Sequence, residues 1–278
     1  MVKLKIKRLL YEISSNRALP IKGDFPTVTI RGAFGYSLLQ VVARDEAIGD
    51  DRKVEICRHL FFPNGISDKS SHENCARPFV IRGSYTRPDR KAFIMEMLLF
   101  GDAVEFEQLV DDVIENMCKM GLGNNNIVCG FCKIYSEIVE PVVPELTSGV
   151  CEVEFISPAR IKSQGRYLLD MIPFHNLIWR LADRFNELSV VYGDTEEHID
   201  FSVLKHLSGQ VLSEPVSGGV FRSERKSTRT GDICSLSGFT GTMLYQGDLG
   251  PFEDLLSYLP WIGVGNSTAF GCGWCNLN

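Results

Sequence analysis

The sequence predicts an α+β protein of two tandem domains, each with the element order βαββαβ. An internal repeat and the hydrophobic periodicity both point to it. Residues 97–134 read MLLFGDAVEFEQLVDDVIENMCKMGLGNNNIVCGFCKI, and residues 243–277 read MLYQGDLGPFEDLLSYLPWIGVGNSTAFGCGWCNL. Gly101-Asp102 answers Gly247-Asp248, Phe106-Glu107 answers Phe252-Glu253, Gly121-Leu122-Gly123-Asn124 answers Gly263-Val264-Gly265-Asn266, and Cys129-Gly130-Phe131-Cys132 answers Cys272-Gly273-Trp274-Cys275. A period of about 145 residues is too long for a solenoid unit and fits a duplicated domain.

The periodicities supply the elements in order. In the first copy residues 2–13 alternate as a strand, and Gly32–Arg44 is helical, with Phe34, Leu38, Val41 and Val42 on one face. Residues 77–83 and 92–101 read as strands, 104–119 as an amphipathic helix carrying Phe106, Leu109, Val113 and Met117, and 126–138 as the last strand. In the second copy 150–157 is a strand, and 174–188 a helix carrying Leu177, Ile178, Leu181 and Phe185. A short helical piece follows near 200–207, then strands near 211–221 and 233–246, a helix at 251–258 and a strand at 269–277. Both copies give the split βαβ arrangement of a ferredoxin-like unit, an antiparallel sheet with two helices on one face. Pro141, Pro144 and Gly149 interrupt the pattern, which sets domains at 1–144 and 145–278. Two polar stretches fit no regular element, an insertion at 45–76 and the segment 222–232; long insertions of this kind tend to carry function or mobility.

Composition narrows the function classes. With 44% hydrophobic and 23% charged residues among 278, disorder and collagen-like sequence are excluded. Apolar runs such as Met97–Phe100 fall far short of the ~20 residues that span a bilayer, so no membrane partner is expected. Lys3, Lys5 and Lys7 alternate with Leu4 and Ile6 and leave no apolar stretch for a signal peptide, which predicts a cytoplasmic protein. Nine cysteines, an odd number without a secretory signal, read as reduced thiols. The net charge of −6 argues against indiscriminate coating of nucleic acid, yet leaves room for a local basic groove.

Four groups of residues could carry chemistry. The segment from Gly263 to Gly273 holds Gly263, Gly265, Gly271 and Gly273 between a helix and the last strand. Glycines there either build a tight turn or let the N–H groups of the backbone approach phosphate oxygens. Arg222, Arg225, Lys226 and Arg229, opposed only by Glu224, form either a solvated loop or a contact surface for a phosphate backbone. The CxxC pairs Cys129/Cys132 and Cys272/Cys275 resemble half zinc sites, but in terminal strands residues i and i+3 point to opposite faces, so they are expected to be small buried hydrophobes. Cys57, His59, His72 and Cys75 bracket a polar loop and form either a structural zinc set or four unconnected loop residues. Of the five histidines, His59, His72, His175, His198 and His206, two have structural explanations at helix ends, His175 and His206, while His59 and His72 lie in the irregular loop and are the more interesting pair.

Several segments resemble the CRISPR-associated endoribonuclease family often called Cas-six, within the repeat-associated (RAMP) superfamily. They are Arg31-Gly-Ala-Phe-Gly35, Arg77-Pro-Phe-Val-Ile81, the Gly121-Leu-Gly123 turn, Ser157-Pro-Ala-Arg-Ile-Lys162, Leu236-Ser-Gly-Phe-Thr-Gly241 and GVGNSTAFGCGW. The resemblance runs nearly end to end and implies two ferredoxin-like, RRM-like domains. It implies an endonuclease that binds the repeat of a precursor CRISPR RNA, cuts it without a metal ion, and passes the guide (crRNA) to the subunits of an effector complex; no direct DNA contact follows from it. On this resemblance RNA contacts fall to Arg31, Arg160, Lys162, Arg222, Arg225, Arg229, Gly263, Gly265, Asn266, Ser267, Thr268 and Gly271. The family's basic stretch commonly reads Arg-Tyr-Ser-x-Arg-Gln, where this chain has Arg225-Lys-Ser-Thr-Arg-Thr230. Family enzymes usually place a histidine in or just after the first helix; this chain has Tyr36 in that helix and no histidine before His59. His59 is therefore assigned as acid–base residue, Tyr36 as its partner, and Arg225 or Lys226 as the cation facing the developing phosphorane charge. Such chemistry needs only a base for the ribose 2′-hydroxyl, an acid for the leaving 5′-oxygen and cations, and it ends in a 2′,3′-cyclic phosphate with no catalytic cofactor. The alternative from another class is a non-catalytic RAMP subunit that holds the crRNA handle; a zinc-stabilised interaction protein without RNA comes third.

Overall fold

The computed structural model describes residues 3–19, 21, 26–47, 76–123, 125–146, 148–193, 198–222, 224–226 and 233–278. By their contacts these group into two units, one of Lys3–Val139 with Leu188–Asp194, the other of Glu140–Glu187 with Thr195–Asn278.

In the first unit the elements are β1 (Ile6–Ser14), α1 (Thr27–Ala47), β2 (Phe79–Tyr85), β3 (Ala92–Phe100), α2 (Glu107–Met120) and β4 (Gly130–Val139). The strands form one antiparallel sheet in the order β2-β3-β1-β4. Leu9, Tyr11 and Ile13 on β1 and Met95 and Met97 on β3 are fully buried, as are Phe34 on α1 and Val113 on α2. Burial on this scale is the main source of stability for a sheet with two helices on one face. Ser37 ties the helices together, its hydroxyl donating to the Val113 carbonyl at 2.7 Å. The helix α1 begins five residues before the periodicity places it. Thr27, Val28, Thr29 and Ile30 have modest helix propensity, but the Pro26 carbonyl accepts from the N–H groups of Thr29 and Ile30, and Ile30 is fully buried. Packing overrides propensity here.

The second unit holds β5 (Val150–Ala159), a small hairpin of β6 (Lys162–Ser163) and β7 (Arg166–Tyr167), α3 (Phe174–Tyr192), α4 (Ser202–Leu207) and β8 (Leu212–Phe221). The hairpin β9 (Glu224–Lys226) and β10 (Ile233–Ser235) follows, then β11 (Gly238–Gln246), α5 (Glu253–Leu256), α6 (Leu259–Ile262) and β12 (Cys275–Leu277). Its main sheet is ordered β8-β11-β5-β12, again antiparallel throughout. Mapping β8, β11, β5 and β12 onto β2, β3, β1 and β4 reproduces the first sheet, so both halves share the ferredoxin-like topology. Gly101 and Gly247 each leave the equivalent strand, as the repeat requires.

Further sequence expectations change: the strand near 233–246 divides into β10 and β11, and β9 forms within 222–232, which the sequence reads as irregular. The helix expected at 251–258 shortens to α5, and a separate turn, α6, follows it with Pro260, which has no N–H to donate, in its first turn. The strand at 269–277 contracts to Cys275–Leu277, since positive φ at Gly271 and Gly273 carries the chain through turns. Consequently Cys272 lies outside the strand. Cys129, Cys272 and Cys275 are buried as expected, but Cys132 is exposed, because β4 forms the sheet's edge and its residues alternate between covered and open faces.

One ion cluster pins α2 to the sheet of the first unit. Glu107 accepts from Lys7 at 2.9 Å, from Ser136 at 3.0 Å and from Lys133, while Lys133 also pairs with Asp111 at 2.7 Å. Burial pushes the Glu107 carboxyl up, but the hydrogen bonds from Lys133, Lys7 and Ser136 outweigh it and hold the group down at about 2. A folded pKa below the unfolded one gives stability that is present above pH ~4.5 and lost as pH falls toward ~2. Thermal melting should therefore show Glu107→Gln less stable than wild type near neutrality, with the gap closing between about pH 4.5 and 2. A gap independent of pH would contradict this account of the cluster.

Candidate nucleic-acid interface

The chain leaves β5 at Ala159, and Arg160 forms an isolated parallel bridge with Gly265. Between α6 and β12 the segment from Gly263 to Gly273 cannot run extended, because Gly263, Gly265, Ser267, Gly271 and Gly273 all have positive φ. Gly265, at φ 82°, is required by close approach to β5: a Cβ there would stand 2.8 Å from the Arg160 carbonyl oxygen. That carbonyl accepts the Asn266 N–H at 3.0 Å, and Gly273 donates to the Pro158 carbonyl at 3.0 Å, so the loop is stitched to the end of β5. Ser267 occupies the left-handed region at φ 65°, a conformation unfavourable for a residue with a Cβ unless its surroundings hold it.

The Arg160 side chain holds it. One guanidinium nitrogen donates to Ser267 Oγ at 2.6 Å and another to the Tyr167 hydroxyl at 3.1 Å. The Arg160 guanidinium lies 4.7 Å from the centre of the Tyr167 ring, and the Lys162 ammonium lies 4.9 Å from it. Asn266 adds a long contact to the same hydroxyl at 3.5 Å. The β6–β7 hairpin presents Tyr167 through a two-residue turn, Gln164-Gly165, with both φ values positive, as a type I′ turn demands. Arg160 is only 8% exposed, its Nε has no hydrogen-bond partner, and among the described residues no carboxylate lies within ion-pair distance. A buried cation is costly unless an anion accompanies it. Beside it the N–H groups of Gly265 and Ser267 meet no acceptor among the described residues, whereas those of Val264, Asn266, Phe270, Gly271, Cys272 and Gly273 are used inside the fold. The corner thus combines two cations, an aromatic ring and donors without an internal anion, which is the chemistry of a phosphodiester site.

The other sequence-assigned residues distribute unevenly. Gly263, Thr268 and Gly271 are buried and serve the loop's own geometry, while Gly265, Asn266 and Ser267 reach the surface. Lys162 is exposed on the hairpin, and Arg222 is exposed just past β8. Arg225 and Lys226 lie on the backbone of β9, which pairs with β10 in the register Cys234↔Arg225 and Ile233↔Lys226; Arg229 lies outside the described residues. In the first unit Arg31 lies 5.0 Å over the Phe79 ring, its guanidinium folded back over Gly35 one helical turn on. Tyr36 on α1 is 61% exposed. His59, and with it the Cys57, His59, His72 and Cys75 set, lies outside the described residues. Among the described residues no cluster of three His, Cys, Asp or Glu side chains could hold a metal ion. Tyr167 was not assigned from the sequence. The available signal was the Lys-Ser-Gln-Gly-Arg-Tyr run, a turn dipeptide flanked by basic and aromatic residues directly after β5.

The chain thus holds two ferredoxin-like units, the second with a glycine loop clamped to a basic and aromatic corner. Residues 153–275 match the family model for the CRISPR-associated endoribonuclease Cas6, and residues 4–144 match a model described as an N-terminal domain. The Cas6 match spans the second unit and less than half of the chain, so it is this unit that is similar to the family. Among solved structures, a partial Cas6-RT-Cas1–Cas2 complex aligns over 99% of this chain and 46% of its own at 14% identity and a TM-score of 0.50. A RAMP protein binding different RNA substrates aligns over 98% of this chain and 99% of its own, at 13% identity and a TM-score of 0.49. Curated protein sequences yield no match. No helix among the described residues is long and apolar enough to cross a membrane.

Gly265→Ala should lower the unfolding free energy by roughly 1–3 kcal/mol in denaturant titrations, because a methyl group must displace the Arg160 carbonyl from a strained turn. Gly209→Ala, where a Cβ would meet nothing within 4 Å, is the control and should be near neutral. Equal stability of the two variants would contradict the close approach.

Proposed function

We propose that this chain binds the repeat of a precursor CRISPR RNA and cleaves it, using the ribose 2′-hydroxyl as nucleophile and no catalytic metal. The observation that carries the binding is the Arg160 guanidinium, buried beside the glycine loop without an anionic partner among the described residues. A phosphodiester supplies the missing charge, Lys162 adds a second cation, and the free N–H groups of Gly265 and Ser267 complete the cradle. Arg222, exposed just past β8, adds a further cation to the same unit, and Arg225, Lys226 and Arg229 are assigned to RNA from the sequence. The match of residues 153–275 to the Cas6 endoribonuclease model supports RNA cleavage as the reaction. For its chemistry we assign His59 as the acid–base residue, Tyr36 as its partner and Lys226 as the cation that stabilises the pentacoordinate charge. A structural zinc on Cys57, His59, His72 and Cys75 is the competing role for His59. A cytoplasmic location and hand-over of the guide to effector-complex subunits follow from the same reading.

Two measurements test it. Lys162→Ala combined with Arg222→Ala should weaken repeat-RNA binding and reduce the slope of log affinity against log salt by roughly one unit per lost phosphate contact. An unchanged slope would move the binding surface elsewhere. In a cleavage assay with purified protein, cutting should persist in EDTA, leave a 2′,3′-cyclic phosphate and stop when the nucleotide upstream of the cut carries a 2′-deoxy sugar. A 3′-hydroxyl product that needs magnesium would overturn the mechanism, and tight binding without cutting would establish the non-catalytic subunit instead. Full activity of His59→Ala would remove that residue from the mechanism.

A further inference from the structure

The duplication has a second corner at the place where the first unit repeats the Arg160 site. In the second unit that corner lies between the exit of β5 and the loop after the second helix. The first unit's equivalents are the exit of β1, Ser14–Arg17, and the loop 121–130 after α2. There β1 and β4 pair as far as Ser14↔Gly130, and the segments beyond that pair leave a gap. They line a cavity of about 650 Å³, whose walls include Ser14, Asn16, Arg17, Asn125, Asn126 and Val128.

Its chemistry is one-sided. Hydroxyls, amides and one guanidinium line it, and no carboxylate does. The turn between β2 and β3 is bound alongside, since the N–H groups of Ser15 and Leu19 donate to the Lys91 and Arg90 carbonyls at 2.8 and 3.0 Å. That turn carries exposed Arg87 and Lys91 and one acid, Asp89, whose carboxylate accepts the Lys91 N–H at 3.1 Å. Asn16, Arg17, Asn125 and Asn126 are all exposed, and Val128 is 65% exposed, an apolar wall beside the amides. The two corners thus differ in kind. In the second unit Gly265 closes onto Arg160 and leaves a narrow phosphate cradle; in the first, Asn125 and Asn126 stand where Ser267 and Thr268 stand in the repeat alignment, and the gap is wide enough for a base. Amides present a donor and an acceptor together and pair with the edge of a nucleobase, while a cation at the mouth takes the attached phosphate.

We propose that this cavity is a second RNA site, which accepts an unpaired nucleotide of the bound RNA with its phosphate on Arg17 and its base edge on the Asn125 and Asn126 amides. The proposal rests on the RNA-binding reading above. Binding of fluorescently labelled single-stranded RNA decamers to the full chain across a salt series tests it. Arg17→Ala with Asn125→Ala should weaken binding by about 5- to 20-fold and lower the salt slope by about one unit, with no change in melting temperature, because all the altered side chains are exposed. A phosphate-only contact would show the salt effect with Arg17→Ala and nothing further with Asn125→Ala, which would overturn base recognition. If the double variant binds as wild type does while Lys162→Ala with Arg222→Ala binds weakly, the cavity is no RNA site and the reading of the second unit stands. If the wild-type chain binds neither the decamers nor repeat RNA, the RNA-binding reading itself fails.

Discussion

The Arg160 guanidinium is the interaction on which the second unit's surface depends. It is a cation with almost no solvent, tied to Ser267 and Tyr167, with the loop backbone bridged to its own carbonyl. Neither hydroxyl neutralises it. A site with this electrostatic imbalance is stable only because the rest of the unit holds it: β5 fixes the backbone, the type I′ turn aims Tyr167, and the glycines let the loop approach. The strain at Ser267 and the uncompensated charge are both expected where a fold is shaped for an anion that arrives from outside.

The duplication explains why the site sits where it does. Each half is an antiparallel sheet in the same order, and in each a glycine turn returns the chain from the second helix to the edge strand beside the first. In the first copy the return strand β4 runs ten residues, whereas in the second the corresponding strand keeps only three. The residues taken from that strand became the longer loop from Gly263 to Gly273. Shortening an edge strand costs ladder hydrogen bonds, and the stitches from the loop to Pro158 and Arg160 offset part of that loss.

Much of this was legible in the sequence, for reasons that are local. The repeated Gly-x-Gly-Asn and Phe-Glu pairs fix the order of elements, because a turn needing positive φ and an amphipathic helix both leave residue-level marks. Arg160, Asn266 and Ser267 were likewise accessible through the resemblance of their segments to a known family. Tyr167 was not. Its role arises from a hairpin that folds it back onto Arg160, a contact set by the turn at Gln164-Gly165 and not by any hydrophobic period of the segment. The shortening of the helix to α5 and the contraction of β12 were missed because hydrophobic periodicity continues through both, while the backbone conformation does not. The early start of α1 went the other way: a β-branched run weak in helix propensity becomes helical because Ile30 is buried.

Amide hydrogen exchange on the full chain, with and without repeat RNA, tests the central claim most directly. The N–H groups of Gly265 and Ser267 have no acceptor among the described residues and should exchange readily in the free protein. On RNA binding the account predicts protection at Gly265 and Ser267 and across Lys162–Tyr167. RNA bound at saturation with exchange at these residues unchanged would contradict it.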